Sequence, residues 1–474
     1  MQSNTTITHL SDLYKFKNLK TFDGYCFALS ALRSINYPSS VTSLPFAGHQ
    51  SNYSLSELII SSENVTEIPI VFLTNSKVEK FVLPNSVTTL VDRSLEDCQF
   101  ADFVIGKSLA IIKSIPRYSC ENIYIDTIAH WLKIAITSTP IQSTSKLYVG
   151  QIDAIRNPEK GNQIEYYDWD KLEQERVLVT TQMLNDALKD ESITEIKAST
   201  FKNCTQLEGE LVIPDNITAL YYESFAGCAN INKIELPKTI TRFGGGSVFI
   251  NCSNAVIEDL NLPNLVEFAG GYTFADTKLK KITNLGNIKT TQSNTFLNCK
   301  ELVSVILPNT LETIGNNAFY YCSGLTSIKI PNSVTSIGNG AFEGCYNLSV
   351  NWSNNNIETI GASAFASIKG TYQNPASTVY LPKIRTIDRQ AFANVFISKI
   401  DLGEDCTSIG SLCFNRESVL ICRAKVPPIL GNSNSFSVIY VPDSNIEGEG
   451  GYKSAEGWNT FASKIKPLSE YVES

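Results

Sequence analysis

Ile306-Leu-Pro-Asn-Thr-Leu-Glu-Thr-Ile-Gly-Asn-Asn-Ala-Phe319-Tyr-Tyr-Cys322 is followed by Lys329-Ile-Pro-Asn-Ser-Val-Thr-Ser-Ile-Gly-Asn-Gly-Ala-Phe342-Glu-Gly-Cys345, the same wording 23 residues later. A period of this size marks a solenoid, in which each unit covers the apolar face of its neighbour. Within one unit, Thr326-Ser-Ile-Lys-Ile330 alternates polar and apolar residues as a strand does. Pro331 ends that strand because proline has no N–H to donate to a ladder. Asn332-Ser333 is turn chemistry, Val334 and Ile337 point inward, and Gly338 allows a tight corner. Ala341-Phe342 then opens a short helical or 3-10 segment on the far side.

Working outward, the landmark Phe recurs at Phe201, Phe225, Phe249, Phe274, Phe296, Phe319, Phe342, Phe365, Phe392 and Phe414. These rings are expected to stack into an internal ladder. Residues 193–418 therefore read as a regular array. Residues 1–20 read as an N-terminal cap or arm, and 21–150 as a degenerate array, with Ile123 to Ile134 carrying a short helix in place of a loop. The repeat vanishes over 151–192, an insertion or linker holding a loop at 157–162 and a capped helix from Thr180 to Asp190. Residues 419–474 form a C-terminal cap, with strands near Val419 and Val438 and an amphipathic helix over Tyr452–Ile465, since a last coil needs a cover.

The chain has 474 residues, 43% of them hydrophobic, and a formal net charge of −8. That balance supplies a continuous core and excludes a broad basic surface for nucleic acid or anionic membrane. No run approaches the roughly 18–20 apolar residues that cross a bilayer. Met1 to Asp12 has neither a basic n-region nor an apolar h-region. The expectation is a chain that is cytosolic, or has lost a signal, or leaves the cell inside a virus particle.

Twelve cysteines invite a disulfide framework, but the spacing argues otherwise. Cys204, Cys228, Cys252, Cys299, Cys322 and Cys345 each follow a landmark Phe by three residues, and the same slot elsewhere holds Thr277, Ile368 and Val395. A slot that accepts Ile or Val is a small buried apolar site, where free cysteine is at home. His9, His49 and His130 stand far apart, and none has a ligand partner at metal spacing. Phe243-Gly-Gly-Gly-Ser247 lacks the Lys-Ser/Thr of a phosphate loop. The expectation is no catalytic residue, no metal and no cofactor. The acidic aromatic run Tyr166, Tyr167, Asp168, Trp169 and Asp170, within the insertion, is the one place marked for a partner, because inserted loops on repeats often serve a binding face.

Residues 330–345, Ile-Pro-Asn-Ser-Val-Thr-Ser-Ile-Gly-x-x-Ala-Phe-x-Gly-Cys, resemble the BspA-like, or Treponema-type, leucine-rich repeat. The likeness is looser across 193–415 and partial across 19–150. It implies a right-handed leucine-rich-repeat solenoid with short strands in a parallel sheet and terminal caps. It also implies a non-catalytic role in adhesion or recognition of a protein or glycan partner, at a cell surface or in host attachment. The lack of a signal raises the alternative of a structural component of a phage virion, held by neighbouring virion subunits.

Overall fold

Ile328 is buried between exposed Ser327 and Lys329, and its strand pairs in parallel with Ser304–Val305 on one side and Ser349–Asn351 on the other. That pattern, repeated, builds the computed structural model of this protein, which describes residues 8–113, 120–136, 146–160, 163–353, 356–369, 378–414 and 418–472. The chain falls into two units, Met1–Glu235 and Leu236–Ser474. The division lies inside the regular array.

In the second unit each coil has two short strands and a turn. One column runs Leu260–Asn261, Lys281–Asn284, Ser304–Val305, Ser327–Lys329 and Ser349–Asn351. The other is made of two-residue strands, Thr313–Ile314, Ser336–Ile337, Thr359–Ile360, Thr386–Ile387, Ser408–Ile409 and Ile429–Leu430, all parallel. At the corner after Ile337, a Cβ on Gly338 would lie 2.6 Å from the Asn316 nitrogen, so backbone rests directly on backbone there.

The third side differs from the expected helical or 3-10 segment: it is a column of turns. The N–H groups of Phe296, Phe319, Phe342 and Phe365 donate to the carbonyls of Ala318, Ala341, Ala364 and Ala391, one coil further on. Residues on both sides of each Phe, such as Asn317 (φ 51°) and Tyr321 (φ 56°), are left-handed, which breaks any helical run. The Phe rings stack inside, with centroids 5.3 Å apart and planes 1° from parallel for Phe319 and Phe342. The series runs from Phe249 through Phe274, Phe296, Phe319, Phe342, Phe365 and Phe392 to Phe414. Phe201 and Phe225 stack likewise in the first unit.

The cysteines of the Phe-plus-three slot are buried and free. Their thiols are also hydrogen-bond donors: Cys299, Cys322 and Cys345 reach the carbonyls of Phe274, Phe296 and Phe319 at 3.2, 3.1 and 3.1 Å. The slot is therefore apolar with one polar use, joining each coil to the one before.

The first unit carries an eight-stranded sheet: His9–Leu10, Ser34–Tyr37, Leu55–Ile60, Lys77–Val82, Gln99–Val104, Cys120–Ile125, Lys146–Val149 and Val177–Leu178. All pairs are parallel except the last, which is antiparallel and ends the sheet. The ring ladder here runs Phe27, His49, Phe72, with His49 fully buried in a phenylalanine rung and its imidazole stacked 5.2 Å from Phe27. The helix expected after Ile123 is Ile128–Lys133, capped by Thr127.

The C-terminal cap departs from expectation. Tyr452–Ile465 is not an amphipathic α-helix; only Trp458–Lys464 is helical, as a 3-10 turn, preceded by Gly457 at φ 80°. The left-handed glycine lets the chain press against the Leu430 carbonyl and stops a helix from continuing through it. Ile465–Pro467 then adds a parallel strand beside Phe436–Val441.

Candidate functional site

Where the repeat fails, the first unit gains a roof. Ala154–Asn157 and Gln163–Tyr167 form an antiparallel hairpin, with Gly161 and Asn162 outside the described residues. The helix Trp169–Glu175 follows, and the Asp168 carboxylate caps it by accepting from the Lys171 N–H at 3.0 Å. Ile164, Tyr167, Trp169 and Leu172 pack on Ile59, Val82, Val104 and Tyr124, the outward face of the sheet near its strand ends. Polar ties fix the roof in place. Ile164 N–H donates to Ser61 Oγ at 2.9 Å, Gln163 Nε2 to the Tyr37 carbonyl at 3.2 Å, and Arg156 pairs with Glu63 at 3.0 Å.

Between this roof and the loops that leave the sheet strands lies a groove of about 580 Å³. Ser61–Glu63, Leu83–Ser86, Ile105, Lys107 and Asp126 line one side, and Gly150–Ala154, Arg156, Ile164 and Tyr167 the other. Its lining is mixed in charge. Lys107 Nζ donates to Gln151 Oε1 at 3.1 Å, and Asp153 pairs with Lys171 at 2.6 Å. Asp126 holds His130 Nδ1 at 2.6 Å, while Nε2 of the same ring meets the Leu109 carbonyl at 2.8 Å. The serine hydroxyls of the groove are spent on the protein: Ser62 donates to the Val41 carbonyl, Ser86 to the Val65 carbonyl at 2.7 Å, and Ser61 to Asn36 Oδ1 at 2.9 Å. None of the described lining residues is a histidine or a cysteine. What this arrangement offers chemically is hydrogen bonding and charge pairing along an open cleft.

Beneath the roof a second network stiffens it. Arg176 donates to the Tyr124 hydroxyl at 2.6 Å, which donates to Asp102 at 2.8 Å, and the guanidinium lies 4.7 Å over the Tyr148 ring. Burial and the Asp102 carboxylate push the Tyr124 phenol well above its ordinary range. Lys80 stands 4.9 Å over the Trp169 ring.

The structure divides the five residues marked from sequence. Trp169 and Tyr167 turn inward and pack, with Tyr167 also lining the groove. Asp168 is half-buried as a cap, and Tyr166 and Asp170 are exposed. The groove residues Glu63, Lys107 and Asp126 lie on separate coils and carry no sequence signal, while Gln151, Asp153 and Arg156 lie in the insertion but outside the run marked from sequence. Among the described residues no group of three His, Cys, Asp or Glu side chains could hold a metal ion, and no helix is long and apolar enough to cross a membrane.

The profile of the BspA type leucine rich repeat region matches residues 5–124, 181–303 and 289–421, in 6 copies. The chain belongs to the BspA-type leucine-rich repeat family. No curated protein is similar to this BspA-type chain. Among solved structures it is similar to a leucine-rich repeat protein of Bacteroides ovatus at 17% identity, over 78% of this chain and 84% of that one, with a TM-score of 0.40. A leucine-rich repeat protein of Eubacterium ventriosum is 18% identical over 66% and 76% of the two chains, with a TM-score of 0.37. The leucine-rich repeat protein of T. pallidum is 24% identical over 37% and 70%, with a TM-score of 0.27. The assignment of this BspA-type chain rests on the repeat match.

Proposed function

We propose that this protein is a non-catalytic recognition protein. Its first unit engages a protein or glycan partner in the groove under the inserted hairpin, whether displayed on a cell or on a phage particle. One observation carries this reading. The hairpin is tied to the sheet by packing and hydrogen bonds on one side, yet leaves a cleft of about 580 Å³ lined by exposed charges on the other. Concave sites with a few convergent polar groups are where partners dock. The groove's serine hydroxyls are already donated to protein acceptors, which suits binding rather than bond making.

Surface capture tests it. The full chain is passed over immobilised host-matrix proteins and glycans, alongside Gln151→Trp, which fills the cleft mouth from an exposed position. Capture by wild type that Gln151→Trp abolishes supports the groove. Equal capture by both moves the function elsewhere on the chain.

A further inference from the structure

Three tyrosines stand together on the turn column of the second unit. Tyr321 is 37% exposed and Tyr346 is 52% exposed. Tyr320 lies 4.6 Å from Tyr321, and Tyr346 lies 6.0 Å from Tyr321 with its plane at 80°. The Tyr321 ring lies flat across Gly344: a Cβ there would meet three of its ring carbons at 3.1–3.2 Å. One face of Tyr321 is thus a floor, and Tyr346 stands beside it as a wall.

Tyr321 is also out of place. The residue two after each landmark Phe is left-handed, and along this unit it is Asn251, Asp276, Asn298, Tyr321, Gly344, Ser367 and Asn394. Six of the seven are small or amide residues suited to that backbone, whereas a bulky ring at φ 56° is strained. Beside the rings, Glu343 is half-buried, its carboxylate has no hydrogen bond or ion pair among the described residues, and burial raises its carboxyl. Its charge reaches both flanking phenols. Tyr320 is raised by burial and then by Glu343, and Tyr346 first by hydrogen bonding with Tyr321 and to a lesser degree by Glu343.

We propose that Tyr321, Tyr346 and Glu343 form a carbohydrate site, in which a pyranose ring stacks on the open face of Tyr321 against the Tyr346 wall while the Glu343 carboxylate accepts its hydroxyls. The negative face of an aromatic ring attracts the polarised C–H groups of a sugar. A carboxylate without a partner is a strong acceptor for neighbouring hydroxyls. The proposal extends the recognition reading above and lies at a different site.

The test presents the full chain to a printed panel of pyranose glycans and carries the best-bound one into saturation-transfer NMR. Wild type retains at least one glycan. Tyr321→Asn weakens it by about tenfold, the upper end of one aromatic contact. Because Asn suits the left-handed column, the same variant melts no lower than wild type, so lost binding cannot be lost folding. Glu343→Gln weakens the same glycan. Gln151→Trp leaves it bound, so failure here and failure of the groove are read separately. Retention of no glycan overturns the proposal, as does equal binding by wild type and Tyr321→Asn. Capture of a protein alone, sensitive to Tyr321→Asn, overturns it as well.

Discussion

The Trp458 indole N–H donates to the Pro428 carbonyl at 2.7 Å. In the coil before, the equivalent Thr407 carbonyl accepts the Ile429 N–H, so Trp458 supplies the donor that a further coil would have given. The first unit shows the same device. Ser224 O accepts the Phe201 N–H, while the equivalent Thr200 O, lacking a preceding turn of that kind, accepts the Trp131 indole at 3.0 Å. A parallel ladder that stops leaves carbonyls facing nothing, and a buried unpaired carbonyl is costly.

Trp458→Phe keeps a ring against Tyr452 but orphans Pro428 O. The expected loss is about 1–3 kcal/mol, read as a lower urea midpoint with an unchanged slope. An unaltered midpoint would show that the indole N–H has no capping role.

Phe342→Ala opens a cavity between Phe319 and Phe365, whose centroids each lie 5.3 Å from Phe342. The cost is about 3–5 kcal/mol, and hydrogen exchange localises it to coils 313–387. A melting curve equal to wild type contradicts a load-sharing ring ladder.

Cys345→Val deletes the thiol bond to Phe319 O, which still holds the Cys322 N–H. Because only a weak donor is lost and the slot is otherwise apolar, the expected change is under about 1 kcal/mol. Burial pushes the Cys204, Cys299 and Cys345 thiols up to about 12. At mildly alkaline pH a disulfide reagent therefore labels half-buried Cys26 before any of these; rapid labelling of several thiols in the native protein refutes that order.

His49 ties stability to pH. Its Nε2 meets the Tyr37 hydroxyl at 2.9 Å, its Nδ1 has no partner, and burial lowers its pKa to about 3. The unfolded chain, with a histidine near its ordinary value of about 6.5, binds the proton first as pH falls. Stability is therefore complete above that value and declines toward pH 3, by about 1.4 kcal/mol per pH unit. His49→Phe, restoring the ring found at Phe27 and Phe72, should flatten urea midpoints measured between pH 7 and pH 4.5. An unchanged acid slope assigns it to other groups.

The solenoid, its corners and its ring rungs were legible in the sequence because they depend on contacts one coil apart, and one coil apart is a fixed spacing along the chain. Ile328, Gly338 and Phe342 announce their places by recurrence. His49 hid because it fills a phenylalanine rung with a different residue. The run at 166–170 was legible as unusual but not in its allocation: Trp169 and Tyr167 fold inward, because an uncovered sheet face bearing Ile59, Val82, Val104 and Tyr124 rewards covering. Only the tertiary structure gathered Glu63, Lys107, Asp126 and Arg156 round one groove, or laid Tyr321 across Gly344. Stacking coils brings residues on different repeats side by side without leaving any trace in local periodicity, so the repeat along the chain specifies the scaffold, while packing between distant coils sets where its surfaces can bind.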